Sequence, residues 1–277
     1  VMNMITRKFQ NRLNSFFTYF ILSLASLISL FPFYWMITGA TNKAVDITSG
    51  KLLPGGELLN NFANLMKNTN ITQAFFNTVK ITFIATILTL IITSLAAYGF
   101  EMYSSKTREG IYKGFLLSMM IPFAALMIPL FSLIVKLGLI NNYWGIILPS
   151  IASAFLVFFF RQNFKAVPKE MIEAARIDGA GEFTIFFQIV LPPMKSSFAA
   201  AAIIVFTTHW NNFLWPLIVL QTDKAKTLTL VISSLSSAYF VDYGVLMLAI
   251  IIATVPVIVI FLTMQKQFVE GMIGSSK

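Results

Sequence analysis

His209, Trp210, Asn211 and Asn212 stand side by side in an apolar stretch, and Trp215 follows almost one helical turn later. An imidazole and two amides offer hydrogen-bond donors and acceptors, and two indoles offer flat apolar faces. That set suits a sugar, whose hydroxyls take the hydrogen bonds while its C–H surfaces stack on the rings. The same polar groups could instead bond to a neighbouring helix, at about 0.6 kcal/mol each inside a membrane. Successive helical residues point in different directions, so the five cannot all line one path. Bond-breaking chemistry has little to work with. The chain has no Cys and only this one His, which leaves no thiol nucleophile and no multi-histidine metal centre. Neither a G-x-S-x-G elbow nor a G-x-x-x-x-G-K-[ST] phosphate loop occurs anywhere in it. The expectation is a binding or conducting protein, not an enzyme, with no metal or cofactor of its own.

The elements that must position these residues are set by composition. Of the 277 residues, 57% are hydrophobic and 11% charged, with a mean hydropathy of +0.79. Soluble domains carry about 25% charged residues, so a water-soluble globule is excluded. Six stretches have the length and apolarity to cross a bilayer: residues 16–37, 81–100, 115–135, 143–160, 198–220 and 243–264. The first is too long, and lacks the small-residue cleavage site, for a removable signal peptide. Phe31-Pro32-Phe33-Tyr34-Trp35 has the make-up of an interfacial aromatic belt. The expected fold is therefore an all-α membrane protein of six transmembrane helices. It divides into an N-terminal segment at 1–15, a membrane domain at 16–264 and a tail at 265–277.

The net charge of +9 would suggest nucleic acid in a soluble protein. In a chain this apolar it reflects basic residues gathered in cytoplasmic loops, so lipid bilayer is the expected surroundings and nucleic acid is not a partner. With the N-terminus inside, 13 of the 20 Lys and Arg residues fall on inner segments, which places both termini in the cytoplasm. None of the 11 acidic residues lies within a predicted span, which argues against a proton- or sodium-driven carrier. Pro32, Pro122, Pro129, Pro149, Pro216 and Pro256 lie in the spans as kinks that neighbouring helices can satisfy. Met119, Met120 and Met127 read as packing residues. Ala199 to Ala202 form a smooth face for close helix approach.

Residues 161–193, between the fourth and fifth spans, are polar yet ordered in pattern. Pro168 suits a helix start, and Met171, Ala174, Ala175 and Asp178 follow at helical spacing. Gly179 and Gly181 can end that helix. A second amphipathic helix is expected with Phe183, Phe186, Phe187 and Val190 on one face, stopped by Pro192-Pro193. Such a helical pair either rests on lipid headgroups or docks on a protein. The alanines favour close contact with protein and anchor poorly in lipid.

Here a resemblance becomes specific. Glu173-Ala174-Ala175, Gly179, Ile189 and Leu191-Pro192 match, without a gap, the EAA–G–I–LP loop of permease subunits in binding-protein-dependent ABC importers. The run from Trp210 to Leu217 is similar to the WNxFLWPL segment of carbohydrate-uptake permeases. Asn60-Asn61-Phe62 and Phe76-Asn77-Thr78 resemble the outer loop of the same group. The likeness covers nearly the whole chain and extends to the shorter, MalG-like partner of multiple-sugar and oligosaccharide importers. The ending Gly274-Ser275-Ser276-Lys277 departs from the Gly-Ala-Val-Lys-Gly often seen there.

The resemblance implies the type I ABC importer permease architecture, with a cytoplasmic coupling loop at 161–197 between helices 4 and 5 and an outer loop at 38–80 that touches a sugar-binding protein. It implies a heterodimer with a second homologous permease, two copies of a cytoplasmic ATPase that holds ATP and Mg, an extracytoplasmic sugar-binding protein, and a bacterial cell membrane. Glu173 would orient the loop on the ATPase, Ala174 and Ala175 would allow close approach, and Gly179 would set the turn. Ile189, Leu191 and Pro192 complete the motif. The alternative for Glu173 is a solvated pair with Lys169, worth a few tenths of a kcal/mol. His209, Trp210, Asn211, Asn212 and Trp215 are the candidates for the substrate path. The expected cargo is a di- or oligosaccharide; a polyol or glycerophosphodiester is the rival within the class. A channel or membrane scaffold, which would need no coupling loop, is the rival outside it.

Overall fold

The computed structural model describes residues 2–273, so Val1 and the closing Gly274, Ser275, Ser276 and Lys277 lie outside the described residues. The described residues form helices and connecting turns, with no strand among them. In chain order these are α1 (Met2–Ala40), α2 (Ala44–Thr48), α3 (Leu58–Asn68), α4 (Ile71–Met102), α5 (Lys106–Leu117), α6 (Phe123–Lys136) and α7 (Trp144–Ile147). There follow α8 (Ala154–Phe164), α9 (Lys169–Ile177), α10 (Glu182–Thr184), α11 (Lys195–Trp210), α12 (Leu214–Val219), α13 (Leu228–Ser236) and α14 (Tyr243–Ile273).

Four stretches are long and apolar enough to cross a membrane unaided: Ser15–Ala40, Ile71–Met102, Pro192–Val219 and Tyr243–Gln267. The third and fourth expected spans are not single straight helices. The third is α5 and α6, bent by 103° between Met120 and Phe123, and the fourth is α7 and α8 with a 45° bend. Counting each bent pair as one span gives six. Ile121 adopts an extended conformation before Pro122, as residues preceding proline do, and Pro122 has no N–H to carry the ladder on. In the fourth span a 3₁₀ turn containing Pro149 ends the first piece, and the Ser153 hydroxyl caps the second by accepting from the Leu156 N–H at 3.4 Å. Pro32 and Pro256 sit inside unbroken helices.

Contacts divide the chain into two units. One comprises Val1–Thr69 and Leu235–Ile252. Here α1 leaves its apolar side chains exposed along the span, as a lipid-facing helix does. A buried polar knot organises the connection between α1 and α4. Asn61 donates to the carbonyls of Ala40 and Asn42 at 2.9 and 3.0 Å, and Asn42 donates to those of Thr38 and Leu53 at 2.9 and 2.8 Å. Gly244 sits against this knot, where a Cβ would lie 2.5 Å from the Asn61 amide nitrogen and 2.7 Å from the Asn42 carbonyl.

The other unit comprises Asn70–Ser234 and Ala253–Lys277. Its centre is α4, packed against α8 and α11. Small residues permit the approach: Ala85 and Ala97 on α4, and Ala200 and Ala201 on α11, are fully buried. The expected alanine face on the fifth span is thus used inside the chain. Phe160, Phe164, Ile185 and Val190 fill one core, while Ile134, Ile146, Trp215 and Val219 fill a second.

Gly244→Ala should cost about 1–3 kcal/mol, because the added methyl has no room beside Asn61. Gly99, where a Cβ would meet nothing within 4 Å, should accept alanine without loss. Thermal unfolding of the purified proteins in detergent checks both.

Candidate functional site

The loop between α8 and α11 is built from local signals. Pro168, in an extended conformation, precedes α9. At the other end Gly179 has φ +81°, a value that suits glycine. Its N–H donates to the Arg176 carbonyl and the Ala180 N–H to that of Ala175, closing the helix in a Schellman turn. After α10 the chain does not continue as the expected amphipathic α-helix. Residues Ile185–Val190 form a π turn, in which the Leu191 N–H reaches back to the Phe186 carbonyl.

This changes which residues face inward. The expected face of Phe183, Phe186, Phe187 and Val190 is divided: Phe186 and Val190 are buried together with Ile185, while Phe183 is 73% exposed and Phe187 is also outside. On α9 the buried pair is Ile172 and Ala175, and the expected Met171, Ala174 and Asp178 point outward beside Ile177, which is 86% exposed. The motif residues are therefore split by role. Ala175, Ile189 and Leu191 pack into the protein's own core. Glu173, Ala174 and Pro192 are exposed, and Gly179 forms the turn. The Glu173 carboxylate makes no ion pair with Lys169 or any other described residue. An apolar outer strip of Met171, Ala174, Ile177 and Phe183 remains beside it.

The inward side of the loop is fastened by charges that no sequence pattern singles out. Arg176 donates to both Glu182 oxygens, at 2.8 and 3.3 Å. The Tyr98 hydroxyl, from α4, donates to the same carboxylate at 2.6 Å. The Arg176 guanidinium holds the Glu182 carboxyl down to about 2, against the opposing effect of burial. Tyr103 lies between two cations, 5.3 Å from Arg176 and 5.4 Å from Arg108. A second hub lies close by in sequence. Arg161, buried at the end of α8, donates to Glu101 at 3.0 Å and to both oxygens of Glu109, and sits 4.1 Å over the Tyr112 ring. The available signal is the set of opposite charges at the inner edges of two predicted spans; in sequence, Arg161 serves only to orient the chain.

The membrane cluster is dispersed. The Trp210 indole donates to the Ala253 carbonyl at 2.9 Å, stacks on Phe206 and meets the edge of Phe75. Trp215 donates to the Gly145 carbonyl at 2.9 Å. Both indoles are buried. His209 is buried as well, and its Nδ1 has no hydrogen-bond partner. Between α11 and α12 the helix breaks, leaving Asn211 exposed and Asn212 half-buried, with the Asn212 carbonyl accepting from the Thr229 hydroxyl at 2.9 Å. Met119 and Met120 are exposed and Met127 is half-buried.

Near the N-terminal end of α4, Asn77 is saturated. Its amide donates to the carbonyls of Lys224 and Lys226, both at 2.9 Å, and its oxygen accepts from Tyr143 and Gln73. Asn141, at φ 58°, accepts from the Gln221 and Thr222 N–H groups. Together they pin residues 221–226. Between α13 and α14, Tyr239 and Phe240 are strongly exposed, with ring centres 4.7 Å apart; no sequence motif marks them. Among the described residues no three metal-ligating side chains come together.

Known proteins resemble this chain in sequence and in fold. The family described as binding-protein-dependent transport system inner membrane component matches residues 95–274. The chain is 51% identical over 268 residues to the lactose transport system permease protein LacG of Rhizobium radiobacter, covering 97% of this chain and 98% of that one. It is 40% identical to the arabinooligosaccharides transport system permease protein AraQ of Bacillus subtilis (strain 168), covering 89% and 90%. Its fold matches a chain in the crystal structure of a bacterial ABC transporter involved in the import of the acidic polysaccharide alginate. That match has a TM-score of 0.84 at 21% identity and covers 94% of this chain and 98% of the other.

Arg161→Ala should destabilise the protein by up to about 3 kcal/mol, since it strands the half-buried Glu101 carboxylate without its partner. The double variant Arg161→Met with Glu101→Gln should recover part of that loss. Thermal melts of the three purified proteins measure the difference.

Proposed function

We propose that this chain, which belongs to the family of binding-protein-dependent transport system inner membrane components, carries a di- or oligosaccharide through the membrane. It is a permease subunit of an ABC importer. The lactose and arabinooligosaccharide relatives favour a sugar over a polyol or glycerophosphodiester. The chain has no phosphate-loop motif, so the energy comes from ATP and Mg bound to two copies of a separate cytoplasmic ATPase. A second, homologous permease completes the path, and a sugar-binding protein delivers cargo to the outer face. The bacterial cell membrane is the location, with the segment 1–15 and the tail 265–277 on the cytoplasmic side.

The observation that carries this reading is the two-sided loop at 161–197. Its inner side is bonded to α4, while Met171, Ala174, Ile177 and Phe183 are left exposed beside an unpaired Glu173. An apolar strip around one free carboxylate suits a protein cleft with a basic rim better than lipid headgroups. Glu173 then orients the docked helix and Ala174 allows close approach. Ala175, Gly179, Ile189, Leu191 and Pro192 hold the shape of the loop. In the membrane, His209 and Asn211 are the strongest path candidates of the five. The His209 Nδ1 lacks a partner that a sugar hydroxyl would supply, and Asn211 is exposed at a helix break. Asn212 follows at the same break, and Trp210 and Trp215 shape it through indoles bonded to the protein itself. On the outer side, the loop at 38–80 and the Tyr239–Phe240 pair offer surfaces to the binding protein.

Two experiments test this. Ile177→Glu should lower the ATPase recovered with the purified permease pair by about tenfold or more, the effect of losing an apolar interface anchor. An undiminished yield would contradict docking through this strip. In membrane vesicles supplied with ATP and binding protein, labelled disaccharide should accumulate and unlabelled oligosaccharides should compete, while glycerol-type polyols should not. Ion conductance without nucleotide would favour a channel.

A further inference from the structure

Within the larger unit α4 is a single α-helix with no break from Ile71 to Met102, as is the part of α14 that belongs to this unit, whereas the third, fourth and fifth spans are interrupted. Of the two continuous helices, α4 is the one bonded to the loop at 161–197, through Tyr98. Each end of this rod is bonded to a loop. At the inner end, Tyr98 donates its hydroxyl to Glu182, and Glu182 is held by Arg176 at the end of α9. At the outer end, Asn77 takes the carbonyls of Lys224 and Lys226 and accepts from Tyr143. Twenty-one residues separate Tyr98 from Asn77, or roughly 30 Å at 1.5 Å per residue, which is the thickness of a hydrocarbon core. A continuous helix passes displacement along its axis, whereas broken spans absorb it at their hinges.

We infer that Tyr98 and Glu182 are positioning residues that connect the coupling loop to α4, and that α4 carries the movement to the outer segment at 221–226. The assignment rests on the reading of the loop as the ATPase dock. The carboxylate is suited to the task because it joins two elements: Arg176 of α9 reaches both of its oxygens, Tyr98 of α4 reaches Oε2, and Tyr103 just past the end of α4 is bonded to it as well. Movement of the docked loop therefore pulls on α4 directly. Linkage makes the path reciprocal, so an event at the outer segment changes the state of the loop by the same route. The Tyr98 ring is independently fixed by edge contacts with Phe164 and Phe186, 6.1 and 5.4 Å between centres. Its hydroxyl can thus be removed while the packing stays.

The test uses the full assembly, purified with its own ATPase and binding protein and placed in lipid nanodiscs. Tyr98→Phe should retain the ATPase and the basal hydrolysis rate. The stimulation of hydrolysis by sugar-loaded binding protein should fall about fivefold or more, within the usual range of coupling between sites. Glu182→Gln should do the same. Reversing the pair, with Arg176→Glu and Glu182→Arg together, restores an ion pair in the loop but gives Tyr98 no carboxylate at 182, so stimulation should stay low. Unchanged stimulation in Tyr98→Phe, with the ATPase bound, would overturn the inference and leave docking intact. So would recovery of stimulation in the reversed pair, which would reduce the cluster to loop stability. Loss of bound ATPase from Tyr98→Phe would also overturn it, by placing the hydroxyl in docking. A parent assembly that keeps its ATPase after Ile177→Glu would remove the docking reading itself, and this inference with it.

Discussion

A guanidinium buried at the end of a membrane span has to be matched, and the pairing of Arg161 sets the inner half of the larger unit. Arg161 is held by Glu101 from α4 and Glu109 from α5, with the Tyr112 ring beneath it. The attraction offsets a desolvation cost of several kcal/mol per ion only when the geometry is good. Three helix ends are therefore fixed relative to one another. The chain leaves α8 from a defined place, with Phe164 and Val167 in the same core as Tyr98 and Phe186. Without that anchor the bond between Tyr98 and Glu182 would have no fixed frame.

The same demand for matched polar groups governs the outer half, where it falls on backbone. Every interrupted span frees carbonyl and N–H groups that hydrocarbon cannot satisfy. The Asn212 carbonyl takes the Thr229 hydroxyl, Ser153 caps α8, and the Trp215 indole takes the carbonyl of Gly145. Asn77 and Asn141 do the corresponding work for the segment at 221–226. Breaks made in this way can act as hinges because their freed groups are served by side chains. α4 beside them is unbroken and frees no such groups between Ile71 and Met102.

What the sequence discloses follows from the range of the interaction. Pro168 and Gly179 mark the ends of α9 correctly because start and stop signals act within one turn. The span positions follow from apolar length, and the motif at Glu173 to Pro192 identifies the family. Proline is a weaker guide: Pro122 accompanies a 103° bend, whereas Pro32 and Pro256 lie in continuous helices, and the difference is set by packing. The tryptophans show the limit most clearly. Trp210 and Trp215 read as ligand-stacking groups because nothing nearby reveals that their N–H groups are bonded to residues 43 and 70 positions away. Tyr98 with Glu182 and Arg161 with Glu101 are separated by 84 and 60 positions, and only the packed fold brings them together.

The π turn at Ile185–Val190 shows how one short loop meets two opposed requirements. A loop that passes on force needs a side bonded firmly to its own protein and another side open to a partner. A regular α-helix would gather Phe183, Phe186, Phe187 and Val190 on one stripe, so that docking and anchoring would compete for the same side chains. With i to i+5 bonding, Ile185, Phe186 and Val190 enter the core while Phe183 and Phe187 are turned out. Isolated π turns are disfavoured relative to α, and they recur at functional positions where the altered register is used. Here the register separates exposed residues from buried ones. Phe183 joins Ile177 on the outside, and Phe186 packs against the ring of Tyr98 inside. The widened turn places the two faces back to back on one short segment, which is the arrangement that the proposed coupling to α4 requires.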